Sequence, residues 1–209
     1  METKEELRYI AAMSRPHVVN AYKEWSSISD EEKLVISRYI PSGARVLDLG
    51  CGTGRIISAL KLGFDTYLGV DASEEMILAA RELHPNFHFV VDNIVDHDFA
   101  EDEYDVILMM HNALDSVHPH ERRHSFLQSI RERLGKGLLI FSSHLTTLRP
   151  GFVAEDYHGA TVHNFRAPHA WHISELESLG LRVIMSLECE HQGDYDWAYF
   201  VTRRIQSLT

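Results

Sequence analysis

Ten residues constrain this chain more than any others: Val46-Leu47-Asp48-Leu49-Gly50-Cys51-Gly52-Thr53-Gly54-Arg55. An apolar run broken by one acid leads straight into three glycines at alternate positions. Glycine has no Cβ, so the backbone can turn sharply there and a ligand can approach the main chain closely. Ile56-Ile57-Ser58-Ala59-Leu60 then reads as the opening turns of a helix, predicted over Thr53 to Leu62. Strand, glycine turn and helix in that order set a ligand against a helix N-terminus, at the carboxyl end of a parallel strand.

The spacing is G-x-G-x-G, whereas a dinucleotide fingerprint has G-x-G-x-x-G. Asp48 stands two residues before the first glycine, and its carboxylate would repel a pyrophosphate. The same charge favours a cationic ligand, an ammonium or a sulfonium. Charge sign therefore points away from a nicotinamide cofactor and toward S-adenosylmethionine. At this point the chain resembles the class I S-adenosylmethionine-dependent methyltransferases, whose first motif has the form (V/L)LD(L/I)GCGTG. The resemblance covers about residues 40–205 and is strongest in this motif and at Asp71.

The order of elements fits an α/β chain. Helices are predicted from Lys4 to Met13, from Pro16 through Trp25, and to Tyr39 behind the capping signature Ser29-Asp30-Glu31-Glu32. Strands follow at Arg45–Leu49, Thr66–Val70 (ending at Asp71), Phe87–Val91, Tyr104–Met110 and Gly137–Ser142. Between them run a helix capped by Ser73 and ending at His84, and one from Pro119 to Leu134. Ser174–Leu179 lies in a helix closed by Gly180. Strands Leu181–Leu187 and Trp197–Thr202 form a terminal antiparallel hairpin turning at Gln192-Gly193-Asp194. Alternating βα units require a parallel sheet with right-handed crossovers. The resemblance implies a doubly wound, Rossmann-like sheet of seven strands, mostly parallel, in the order 3-2-1-4-5-7-6. A single domain is expected over 1–209, with a helical cap at 1–40, an α/β core at 41–209 and a substrate-covering insert at 146–172.

Composition narrows the partners. The formal net charge is −11, which disfavours nonspecific binding to nucleic acid. Arg122-Arg123, Arg131 with Arg133 and Arg203-Arg204 are expected on solvated faces. No run approaches the ~20 apolar residues that cross a bilayer. The charged N-terminus carries no signal-like apolar stretch, and two cysteines make no disulfide framework, so a reduced, cytoplasmic protein is expected. The implied partner is a small molecule, with neither nucleic acid nor membrane; oligomeric state is not encoded.

The expected cofactor is S-adenosylmethionine, held by Asp48, Gly50, Cys51, Gly52, Thr53 and Gly54. Asp71 lies 17 residues after Gly54 and can accept hydrogen bonds from ribose hydroxyls; alternatively it only caps the helix beginning at Ser73. The resemblance adds Ala72, an adenine acceptor at Asp92 with an amide from Asn93 or Ile94, and Met76 against the adenine face. Met76 reads equally as core. The resemblance also puts Met110 and His111 at the methyl-donor end of the site. Tyr9, Arg15, Tyr22 and Trp25 are candidates for a lid.

Methyl transfer from a sulfonium is an in-line displacement that depends chiefly on positioning, so catalytic groups are weakly encoded. His111 and His144 follow strands four and five and are the base candidates; each could instead only bond backbone. Tyr157, His163 and His169 are substrate-binding candidates in or beside the insert. His120 and His124 stand at i, i+4, a zinc-compatible spacing without an evident third ligand, so no metal is expected. The reading is methyl transfer to a small molecule. The rivals are a noncatalytic module binding the cofactor or S-adenosylhomocysteine, a nicotinamide-dependent oxidoreductase and an RNA methyltransferase.

Overall fold

The computed structural model describes residues 2–61, 63–101, 103–189 and 196–205. Two reciprocal caps begin the N-terminal helices. Thr3 Oγ1 accepts from the Glu6 amide, and Glu6 returns the bond to the Thr3 amide, starting α1 (Lys4–Met13). Ser29 and Glu32 do the same for α3 (Asp30–Tyr39). Between them Pro16, with no amide hydrogen to satisfy, opens α2 (Pro16–Glu24).

The sheet is built outward from β1 (Val46–Leu49), buried at every residue and paired in parallel with β2 (Tyr67–Asp71) and β4 (Val106–Met109). Beyond these lie β3 (His88–Val91) and β5 (Leu138–Leu145). Side chains alternate across the strands. Val46, Leu108 and Ile140 pack toward Val35 and Ile36 of α3 and Ile77 of α4 (Glu74–Leu83). Leu47, Ile107, Leu139 and Phe141 pack toward Phe126, Leu127 and Ile130 of α5 (His120–Arg133). α6 (His169–Ser178) adds Leu176 to that layer.

Among the described residues nine strands form where the sequence predicts seven. The extra pair, β6 (Gly151–Tyr157) and β7 (Ala160–Ala167), is folded from the expected insert. The two-residue turn His158-Gly159, both at positive φ, matches the twist of a tight hairpin. β7 joins the carboxyl end of β5 through His144↔Arg166 and Leu145↔Ala167. On its other edge, from Leu138 to His144, β5 pairs antiparallel with β9 (Trp197–Arg204), which pairs with β8 (Leu181–Cys189). Counting β8 and β9 as the sixth and seventh strands, the expected order is retained. The predicted turn at 192–194 lies outside the described residues.

One helix differs from the prediction. The stretch after the glycine turn is a short 3-10 turn, Arg55–Ala59, because Gly54 is left-handed and Leu60 is already extended. α6 begins at His169, behind Pro168 at its N-cap, and contains the expected helical residues from Ser174. Arg123, expected on a solvated face, is fully buried. Its guanidinium donates to Glu175 Oε2 at 2.5 Å and lies 4.5 Å from the centre of the Phe165 ring. A buried arginine depends on its counter-charge. Glu175→Ala should therefore destabilise the fold by about 3–5 kcal/mol in urea denaturation; a loss below about 1 kcal/mol would show that the pair is not a structural anchor.

Candidate cofactor and acceptor site

The glycine turn is fixed from below and open above. The Gly50 and Cys51 amides donate to Val70 O at 2.8 and 3.1 Å, carrying the β1–β2 register past the end of the strand. A Cβ on Gly50, at φ 82°, would lie 2.5 Å from the Ala113 Cβ. At Gly52, φ 53°, an added Cβ would meet only Tyr22 Cδ1, at 3.9 Å. Gly50 is thus required by packing, whereas Gly52 borders open space. That space is a cleft of about 980 Å³, counting its mouth, at the carboxyl edge of the sheet.

Two carboxylates flank the turn. Asp48 is buried on β1 and accepts a hydrogen bond from the Tyr67 hydroxyl at 2.8 Å. Burial pushes its carboxyl up to about 7; the Tyr67 bond and the Arg55 charge act against that rise, and Asp71 adds to it. Asp71 ends β2, where Oδ2 accepts from the Gly52 amide and Oδ1 from the Ser73 amide, both at 2.9 Å. Burial raises its pKa too, opposed by backbone donors at Ser73, Gly52 and Ala72. Arg55 is neutralised elsewhere, forked onto Glu32 at 2.6 and 2.8 Å and stacked over Trp25 at 4.5 Å.

The N-terminal helices roof the cleft. Glu6, Tyr9, Ile10 and Met13 of α1 line it, with Tyr22 of α2. Their spacing marks one helix face, the signal by which sequence could have found Glu6, Ile10 and Met13. Tyr22 and Tyr157 meet hydroxyl to hydroxyl at 2.5 Å, joining α2 to the β6–β7 hairpin. Arg15 and His17 contact His158 O at the hairpin tip. Burial lifts the Tyr9 and Tyr22 phenols above their ordinary range. Trp25, the remaining lid candidate, stands behind the lining against His111.

Among the sequence candidates, Asp48, Gly50, Cys51, Gly52, Thr53, Asp71, Ala72, Asn93, Ile94, Met110 and His111 line this one cavity. Gly54, Met76 and Asp92 are not in the lining. Met76 is buried with Val18, Val19 and Ala79, where α2 meets α4. The Asp92 carboxylate turns back on its own loop, accepting from the Asn93 amide and meeting His97 Nδ1, each at 2.8 Å. His111 faces the cavity with its ring 4.5 Å from Trp25. His144 does not: it lies within β5, buried, between Asp115 and Asn112.

The substrate candidates are dispersed. Tyr157 braces Tyr22, the His163 carbonyl meets His118 Nε2 at 3.0 Å, and His169 pairs with Glu188 at 3.2 Å. His120 and His124 approach Glu175 Oε1 at 3.1 and 3.6 Å, but Arg123 holds the other oxygen. Among the described residues no group of three such side chains is set to hold a metal ion, and no helix is long and apolar enough to cross a membrane.

Comparison with known proteins agrees with this geometry. Residues 46–137 match a family model described as a methyltransferase domain. The carboxy-S-adenosyl-L-methionine synthase of Campylobacter fetus is 33% identical over 119 residues, 54% of this chain and 49% of that protein. The trans-aconitate 2-methyltransferase of Variovorax paradoxus is 35% identical over 85 residues, 40% of this chain and 32% of its own. The chain thus spans about half the length of the first relative and a third of the second. The crystal structure of the Burkholderia thailandensis 1,6-didemethyltoxoflavin-N1-methyltransferase superposes with a TM-score of 0.74 at 15% identity, covering 99% of this chain and 92% of that one. Residues 46–137 thus match a methyltransferase domain, and the whole chain has the Rossmann-like α/β fold of the solved methyltransferase structure.

The raised Asp48 carboxyl has a consequence for stability. Its folded pKa lies above the ordinary carboxylate value, so the native state holds the proton more tightly than the unfolded chain. The stabilisation is full below the unfolded pKa and is lost as pH rises toward 7. Relative to the parent, Asp48→Asn should gain stability across that window, at most by about 1.4 kcal/mol per pH unit. Parallel denaturation curves from pH 5 to 8 check this. A constant difference between the two proteins would mean that Asp48 does not titrate there.

Proposed function

We propose that this protein transfers a methyl group from S-adenosylmethionine to a small-molecule acceptor by in-line displacement. The observation that carries the reading is a single cleft joining the open face of Gly52, the two carboxylates Asp48 and Asp71, and the His111 ring. The open Gly52 face is a cradle that a Cβ would intrude on, which fits a ligand laid across the main chain. When bound, the cofactor supplies an electrophilic methyl group on a sulfonium.

The chain's own residues divide the remaining work. Asp71 accepts from the ribose hydroxyls, and Gly50 to Thr53 support the ligand from beneath. Asn93 and Ile94, both in the lining, meet the adenine edge in place of the inward-turned Asp92. Asp48 favours the cationic part of the cofactor. Tyr9, Tyr22 and His111 bound the acceptor end, where His111 takes the proton of an acceptor that carries one.

Residues 1–209 act as one domain: a cap at 1–40, the core at 41–209, and an insert at 146–172 whose hairpin ties down the roof. The net charge of −11 supports a small acceptor rather than nucleic acid, and the Burkholderia enzyme was crystallised with a small acceptor, 1,6-didemethyltoxoflavin. The two free, buried cysteines suit a reducing cytoplasm.

Calorimetry with S-adenosylmethionine, S-adenosylhomocysteine and NADH tests the cofactor. The first two should bind and NADH should not. Asp71→Ala should weaken binding by at least ~1 kcal/mol, about fivefold, and Gly52→Val should abolish it. Failure of the parent to bind either adenosyl ligand, or normal binding by Gly52→Val, would overturn the assignment.

A further inference from the structure

His111 and Asn112 are consecutive residues in the left-handed region, at φ 52° and 62°. Side chains with a Cβ disfavour that conformation, and it persists where the surroundings over-determine it. The turn is closely backed: the Ala113 Cβ lies 2.5 Å from the position a Cβ on Gly50 would occupy. On the other side, β5 grips Asn112 twice. Its amide donates to Ser142 Oγ at 2.8 Å, and its side-chain nitrogen lies 3.1 Å from His144 Nε2.

His144 is fixed in turn by Asp115. That carboxylate is fully buried and accepts from Ser143 Oγ at 2.5 Å, from the His144 amide at 2.8 Å and from His144 Nδ1 at 2.8 Å. With Nδ1 turned to Asp115, Nε2 is the ring atom that meets the Asn112 side-chain nitrogen, and the tautomer that carries its hydrogen on Nδ1 makes Nε2 the acceptor. This orientation of the amide leaves Asn112 Oδ1 buried with no hydrogen-bond partner. A lone buried carbonyl is unfavourable, so this orientation of the amide depends on the bond to His144 to offset it.

We infer that Asp115 and His144 are positioning residues, a buried brace that holds the His111–Asn112 turn and thereby sets the His111 ring at the acceptor end of the cleft. What the ring does there rests on the proposed function; the brace itself does not. His144 acts through Asn112 and touches neither acceptor nor cofactor.

The test is NMR of the imidazole protons of His111 in the ligand-free protein, assigned by their loss in His111→Gln. The ring meets Trp25 edge to face at 4.5 Å, so the indole ring current displaces those resonances. His144→Asn can still donate to Asp115 but cannot reach Asn112. Asn112→Gly removes the same bond from the other side and tolerates positive φ. Each should lose at least half of the displacement, while His144→Gln, which places an acceptor near the Nε2 position, should keep most of it. A purely structural role would lower stability and leave the displacement intact in folded protein. An intact displacement in either folded variant, or equal loss in His144→Gln, would overturn the proposal. Calorimetry of the parent with S-adenosylhomocysteine is run alongside; its failure would remove the functional reading while the NMR comparison still decides the brace.

Discussion

A carboxylate nearly stripped of water, Asp48, lies beneath the glycine turn, and much of the carboxyl edge answers its charge. Moving an ion from water into a protein interior is unfavourable unless it is paired or hydrogen-bonded. Here one hydroxyl, from Tyr67 on the adjacent strand, bonds it directly. The Arg55 charge stabilises its ionised form, while Asp71 opposes it. Arg55 is itself committed to Glu32 of α3 and to the Trp25 face after α2. With its carboxyl raised to about 7, Asp48 changes charge close to neutrality.

The same connections explain why helices that precede the sheet in sequence roof its functional edge. Arg55 ties the turn to α3 and Trp25, Tyr22 ties α2 to the β6–β7 hairpin, and Arg122 of α5 meets Glu6 of α1 at 2.9 Å. Each link joins a distant part of the chain to the cleft. The enclosure that results raises the phenols of Tyr9 and Tyr22 above their ordinary range.

Local signals carried most of the architecture. The Thr3 and Ser29 caps, Pro16, and the apolar β1 run each state their own element, and the glycine spacing states the cleft. The β6–β7 hairpin is also locally encoded, in His158-Gly159 between β-branched and aromatic residues, within the segment that its histidines and aromatics mark as a substrate-covering insert. Arg123 looked like surface because its partner, Glu175, lies 52 residues away and only the fold brings them together. The site divided along the same line. Gly52 and Asp71 are placed by strand ends, which sequence locates well. Asp92 and His144 were drawn away by His97 and Asp115, neighbours whose pull depends on side-chain direction rather than on position along a strand.

The most direct measurement is the proton count on cofactor binding, obtained by titrating S-adenosylmethionine near pH 7 in buffers of different ionisation enthalpy. If Asp48 ionises to meet a cation, the parent should release a fraction of a proton that Asp48→Asn does not. Equal proton release by the two proteins would show that the buried carboxylate is not what the ligand's charge responds to, and the electrostatic account of the site would fail.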